Sequence, residues 1–312
     1  VGDVGIGINP KLAARVKESD CLVLLGGRLG EMPSSGYSLL QIPDPAQPFI
    51  HVHAGAEELG RVYQPDLAIN ATPGAFAEAL AKLPAPTAKP WAAWRKEARA
   101  DYLAWSTPPK TPGPLQMGEV IRTLEHRLGP DAIWCNGAGN YATWLHRFHR
   151  YGGYGTQLAP TSGSMGYGPP AAVGAKRSHP DKPVVAFAGD GCFLMNGQEL
   201  ATAVQYDLPI LIVVVNNGSY GTIRMHQERH YPGRVSATEL KNPAFAELAK
   251  AYGAFGEKVE RTEDFAAALD RALASGKPAL LELILDKDII TPTTTLSAIR
   301  AASLAKPVPE GE

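Results

Sequence analysis

The sequence predicts an α/β protein: a doubly wound parallel sheet preceded by half of a Rossmann-like domain. Three observations carry this. First, short apolar runs at 132–135, 184–188, 210–215, 254–259 and 279–284 alternate with helix-length stretches, as strands covered on both faces do. Second, two of those runs end in polar turns, Gly189-Asp190-Gly191 and Asn216-Asn217. Third, the block before them offers only two clear strand-like runs, 21–26 and 49–53, too few to bury a sheet of ordinary size.

Taken in order, residues 1–83 read as half a domain; Gly26-Gly27-Arg28 followed by Phe49-Ile50-His51-Val52-His53 resembles the C-terminal half of a central domain. Residues 84–114 read as a linker, proline-rich at 83–90 and 107–114, with an amphipathic helix over 91–105 between. Trp91, Trp94 and Trp105 fall on one stripe of that helix, which reads as packing surface. Residues 115–290 form the main domain, and 291–312 a C-terminal arm that wraps a neighbour or closes over the site. At 312 residues, 45% hydrophobic and 20% charged, the chain has room for two cores.

A formal net charge of −1 with scattered Lys and Arg gives no footprint for nucleic acid. No apolar run approaches the ~20 residues of a membrane helix, and no signal peptide is visible, so a cytoplasmic protein is expected. Cys21, Cys135 and Cys192 lack metal-type spacing and read as reduced core thiols. His51 and His53 share one strand face, but no third ligand accompanies them.

The two polar turns predict chemistry. Asp190 and Asn217 lie 27 positions apart, room for a helix over 196–206 and a return strand, so a right-handed crossover brings both tips to one sheet edge. A carboxylate and an amide meeting there suit Mg²⁺, a hard cation that shares its oxygen ligands with phosphates. The glycines let a diphosphate approach the backbone, and the helix after Asn196 offers unpaired N–H groups.

This spacing resembles the fingerprint of thiamin diphosphate enzymes of the acetolactate synthase-like group of carboligases and decarboxylases. The resemblance implies that Asp190 and Asn217 give side-chain oxygens to Mg²⁺ and Ser219 its carbonyl. Gly189, Gly191 and the Cys192 amide would meet the diphosphate, with Tyr220 and Gly221 beside them. Gly163-Ser164-Met165-Gly166-Tyr167-Gly168 resembles the family segment in which the Gly163 carbonyl holds the aminopyrimidine and Met165 props the cofactor in a bent form. Gly137-Ala138-Gly139-Asn140-Tyr141 lacks the third glycine of a dinucleotide fingerprint. The resemblance makes Gly139, Asn140 and Tyr141 diphosphate contacts, although Asn140-Tyr141 stands where the family often has Gln-His.

For the complete protein the resemblance implies a 2-oxo acid substrate, transferase or lyase chemistry and a homo-oligomer. A glutamate from the pyrimidine-binding domain of the same or a partner chain would activate the cofactor. No residue here fits that role, Glu199 and Glu228 reading as solvated or structural, so the chain alone is expected to be inactive. A non-catalytic thiamin diphosphate-binding subunit or remnant, a decarboxylase of another 2-oxo acid (benzoylformate- or oxalyl-CoA-like) and a nicotinamide-dependent dehydrogenase remain as alternatives. Two departures bear on substrate: His226 replaces a family tryptophan and Thr222 a methionine. His226 is also a candidate acid or base, since imidazole titrates near neutral pH. Some relatives hold FAD near the Arg28 position; half a domain does not support it here.

Overall fold

The computed structural model describes residues 1–305; the last seven residues of the predicted arm lie outside them. The chain divides into two compact units, Val1–Thr107 and the remainder from Pro108.

In the first unit, helix α1 (Pro10–Lys17) starts where the Asn9 side chain accepts from Lys11 N–H and Pro10 pre-sets φ. Strands β1 (Leu22–Leu25), β2 (Phe49–His53) and β3 (Leu67–Asn70) form a parallel sheet in that order. Phe49, Tyr63, Leu39 and Leu40 are the buried centre. Strand β3 and helix α2 (Pro73–Ala81) are additions to the sequence reading. Helix α3 (Ala92–Trp105) groups with this unit, Asp101 pairing with Lys11 at 2.7 Å and Arg15 at 2.8 Å. Trp91 and Trp94 are exposed, the Arg15 guanidinium lying 5.5 Å from the Trp94 ring. Cys21 is exposed, correcting the core-thiol reading, because it falls in alternation with Val23 and Leu25, the exposed residues of β1. His51 Nε2 bonds Gly27 O and His53 Nδ1 the Gly55 backbone.

The second unit opens with α4 (Met117–Leu128), β4 (Ile133–Asn136), α5 (Ala142–Phe148), β5 (Gln157–Leu158), α6 (Gly168–Ser178) and β6 (Val184–Gly189). It continues through α7 (Asp190–Asn196), α8 (Glu199–Gln205), β7 (Leu211–Asn216), α9 (Gly221–His230), α10 (Phe245–Ala251), β8 (Phe255–Val259), α11 (Thr262–Ala274) and β9 (Ala279–Ile284). The hairpin of β10 (Ile289–Thr291) and β11 (Thr294–Thr295) and helix α12 (Leu296–Leu304) follow. Six strands lie parallel in the order β5-β4-β6-β7-β9-β8.

Both faces of this sheet are covered, which is why its strands are continuously apolar. Leu211, Val213 and Val215 face the side of α4 and α11 with Leu124, Phe265 and Leu269. Ile212 and Val214 face α6, α8 and α10 with Ala172, Leu200 and Phe245. Each such side chain, fully buried, contributes about 1.5–3 kcal/mol.

The helix expected over 196–206 is α8, and a further short helix, α7, precedes it from Asp190; the two part at Gly197, where a Cβ would meet the Phe193 ring at 2.7 Å. The segment from Thr291 to the last described residue belongs to the second unit. Helix α12 is capped by Thr295 and packs on α9, where Ile299, Ile290 and Met225 make a small buried cluster.

Candidate cofactor site

The register of the sheet builds the site. Gly189 pairs with Val215, so β6 and β7 end side by side and deliver Asp190 and Asn216-Asn217 to the carboxyl edge. Above them opens a crevice of about 240 Å³, at the strand-end position where open α/β sheets bind ligands. Gly189, Asp190, Gly191 and Cys192 line it, together with Gly139, Asn140, Tyr141, Gly163, Met165, Asn217, Ser219, Tyr220 and Gly221. Trp144, Val215, Leu285, Ile289 and Ile290 make its apolar wall. Thr222 and Ile223 also line it; Ser164 and His226 do not. His226 is exposed on α9, stacked on His230 with ring centroids 6.4 Å apart.

Asp190 is 3% exposed. Its Oδ1 accepts from Gly191 N–H at 2.9 Å and its Oδ2 from Asn242 Nδ2 at 2.8 Å. Burial pushes its carboxyl up, opposed by these donors and by the Gly218 and Ser219 amides. All of these donors are neutral. The Asn217 side chain accepts from Ser219 N–H at 3.1 Å, folding the 217–219 turn back on itself. Ser219 Oγ and Asn242 Oδ1 are buried without a hydrogen-bond partner. No cluster of three His, Cys, Asp or Glu occurs among the described residues. One carboxylate, one amide and a backbone carbonyl are an all-oxygen set, which fits a hard cation such as Mg²⁺.

The glycines keep the crevice open while its walls stay packed. A Cβ on Gly189 would stand 2.8 Å from the Tyr141 ring, and one on Gly191 2.6 Å from the Tyr220 ring. Gly163 has φ +69° and open space around it, so its backbone can meet a ligand closely. The fit to a diphosphate rests on these bare backbone stretches beside the oxygen set.

Cys192 ties the three predicted segments together. Its Sγ accepts from Gly166 N–H at 3.0 Å and lies 3.1 Å from the Tyr141 hydroxyl, and a Cβ on Gly137 would come within 2.5 Å of it. Gly166 O accepts from Asn196 Nδ2 at 3.1 Å, so α7 holds the loop before Tyr167 at both groups. The Tyr141 phenol is pushed well up by burial and then by Cys192. Asn140 is bound across the crevice to α9: its backbone N–H donates to Thr222 Oγ1 at 3.0 Å, and Thr222 Oγ1 donates to Asn140 Oδ1 at 3.1 Å. The hydrogen bonds of Asn140 and Tyr141 thus run to protein partners.

Asn242 escaped the sequence reading. Asn-Pro at 242–243 signals a turn before α10, but nothing local places its amide against Asp190, 52 residues away.

Comparison with known proteins gives matches along most of the chain. Residues 137–283 match the family described as thiamine pyrophosphate enzyme, C-terminal TPP binding domain. Residues 1–80 match thiamine pyrophosphate enzyme, central domain. An acetolactate synthase large subunit of Corynebacterium glutamicum is 32% identical over 290 residues, 88% of this chain and 45% of that protein. An acetolactate synthase of Mycobacterium avium is 30% identical over 318 residues, 96% and 51%. A sulfoacetaldehyde acetyltransferase of Alcaligenes xylosoxydans xylosoxydans is 28% identical over 326 residues, 94% and 53%. The chain spans about half the length of the curated relatives it matches.

Proposed function

This chain belongs to the thiamine pyrophosphate enzyme family, and on that premise we propose that its crevice holds thiamin diphosphate through Mg²⁺ as part of a 2-oxo acid carboligase or decarboxylase. One observation carries the reading: a buried carboxylate, Asp190, meets the 217–219 turn at the strand ends with neutral donors around it. Asp190, Asn217 and the Ser219 carbonyl are the proposed ligands of the cation. The backbone of 189–192 and 139–141 borders the diphosphate, and Gly163 and Met165 orient the rings. When bound, thiamin diphosphate supplies an electron sink for breaking a bond beside a carbonyl. The apolar wall of Trp144, Val215, Leu285, Ile289 and Ile290 keeps water away and strengthens the local electrostatics.

Among the described residues Asp190 is the one carboxylate lining the crevice, and the proposal already assigns it to the cation. A second carboxyl group, which would exchange a proton with the cofactor, is therefore proposed to come from a pyrimidine-binding domain of the same or a partner chain, in a homo-oligomer in the cytoplasm. The named relatives include two acetolactate synthases and an acetyltransferase acting on sulfoacetaldehyde, so the shared proposal is the cofactor and the 2-oxo acid class of donor, not one acceptor.

The test is a thermal-shift titration with thiamin diphosphate and Mg²⁺, beside Asp190→Ala. Saturation at 100 Kd adds about 2.7 kcal/mol to stability. A magnesium-dependent rise that Asp190→Ala abolishes is expected. A parent chain that shows no rise, or a rise that survives Asp190→Ala, sinks the reading.

A further inference from the structure

The Asp190 carboxylate ends a buried polar chain. Asn242 Nδ2 donates to Asp190 Oδ2 at 2.8 Å and to Asn216 Oδ1 at 2.9 Å. Asn216 Nδ2 donates to Glu282 Oε1 at 2.8 Å, and Glu282 Oε2 accepts from Ala246 N–H at 3.1 Å. Glu282 is 3% exposed in β9, between β7 and β8. The chain closes on itself, because Ala246 belongs to the first turn of α10 and Asn242 to the segment leading into it. Glu282 thus fixes both the start of α10 and the side chain of Asn216.

The directions of these bonds follow from Glu282. Both Glu282 oxygens accept, so Asn216 turns its NH₂ to Glu282 and its oxygen towards Asn242 and the Gly218 amide, which donates to it at 3.1 Å. That oxygen in turn requires the NH₂ of Asn242, and the same NH₂ then faces Asp190. With Oδ1 held by Gly191 N–H and Oδ2 by Asn242, the carboxylate has one orientation. Asn242 Oδ1 meanwhile is buried without a partner. That arrangement costs free energy and has no advantage for packing alone.

We propose that Asn242 and Glu282 are positioning residues that hold Asp190 in one orientation for a divalent cation, Asn216 relaying between them and Asn217 alone of the Asn pair acting as ligand. The inference rests on the reading of Asp190 as a cation ligand. Residues behind metal ligands typically change metal affinity 10- to 100-fold when replaced.

The experiment uses the full chain with Mn²⁺ as probe and thiamin diphosphate, measuring by calorimetry the Mn²⁺ concentration for half-maximal cofactor binding. Asn242→Ala and Glu282→Gln are compared with the parent. Both are expected to raise that concentration about 10- to 100-fold. Asn242→Ala should also keep an unliganded Tm close to the parent's, which loss of general structure would not allow. Glu282→Gln acts because its NH₂ must oppose either Asn216 Nδ2 or Ala246 N–H; if it does not fold, Asn242→Ala decides. An unchanged cation requirement in Asn242→Ala overturns the proposal. If the parent itself binds no Mn²⁺ with the cofactor, the cofactor reading fails. The positioning claim is then judged by a crystal structure of Asn242→Ala: Asp190 turned from its place supports it, and Asp190 unmoved overturns it.

Discussion

Asp190 and Glu228 are buried carboxylates of the same unit, 3% and 1% exposed, held in opposite ways. Glu228 has two guanidiniums, Arg224 and Arg300, each with a nitrogen 2.6 Å from Oε1, and accepts the Gly233 amide at 2.9 Å. Arg300 first, then the Gly233 amide and Arg224, bring its carboxyl down to about 2. Asp190 has amides around it and no guanidinium in its hydrogen bonds, and burial pushes its carboxyl up. A buried charge is costly unless a counter-charge compensates it. Glu228 is therefore complete as a structural clamp between α9 and α12. Asp190, like Glu282, accepts from amides alone; of these two Asp190 is the one on the crevice, and on that place rests its proposed role as a cation ligand.

The largest test of the contrast is Glu228→Ala. Removing one partner of a buried ion pair costs about 3–5 kcal/mol. The lower end applies, since the Arg300 side chain is 40% exposed and screened. Chemical denaturation should show that loss, and hydrogen exchange should show faster exchange in α12. The pH signature follows from the lowered carboxyl. The contribution of Glu228 is full above about 4.5 and is lost as pH falls towards about 2. A variant as stable as the parent would dissolve the contrast.

Asp190→Asn tests the other side and should differ in kind. Relief of charge burial is offset by an amide that turns its NH₂ towards Asn242, so unliganded stability is expected to stay within about 1 kcal/mol of the parent. The stabilisation by thiamin diphosphate with Mg²⁺, about 2.7 kcal/mol at 100 Kd, should disappear. An unliganded loss as large as that of Glu228→Ala would make Asp190 a strut as well.

Sequence made one half of this contrast legible. Asp190 and Asn217 could be found because a strand end projects side chains at fixed places, and a 27-residue crossover has few geometries. The start of α7 at Asp190 was missed although an acid in the first turn is a helix-start signal; that residue 197 is glycine follows from the Phe193 ring, which fills the place of a Cβ, a packing contact. Strand β3 has four residues, three of them exposed, and so lacks the apolar run that marks the strands of the main sheet. Glu282 did carry a signal, an acid within the apolar run Ala279-Leu280-Leu281-Glu282-Leu283-Ile284, because such a residue must find buried donors. Its partners Asn216 and Ala246, like Asn242 on Asp190, are set by tertiary approach across many residues, and no local pattern encodes that.

The smallest effect belongs to a buried base whose neighbouring acid does not hydrogen-bond it. His149 lies between the rings of Trp134 and Tyr151, centroids 4.4 and 4.6 Å away, and its Nδ1 has no hydrogen bond. Glu125 stands 3.6 Å away and raises the imidazole, but burial, aided by Arg122, prevails and lowers it. The neutral ring is thus favoured in the folded state. Its contribution is full above about 6.5 and declines as pH falls through the imidazole's lowered value, with a slope of at most about 1.4 kcal/mol per pH unit for one proton. Urea denaturation at successive pH values should show this slope in the parent and not in His149→Phe, which keeps an aromatic ring in the same place. The decline begins near 6.5, above the upper edge of the Glu228 window at about 4.5, so the two onsets can be read from one pH series. If His149→Phe retains the slope near pH 6, Glu125 compensates the imidazolium as fully as two guanidiniums compensate Glu228, and burial alone does not decide which groups of this unit call for a partner.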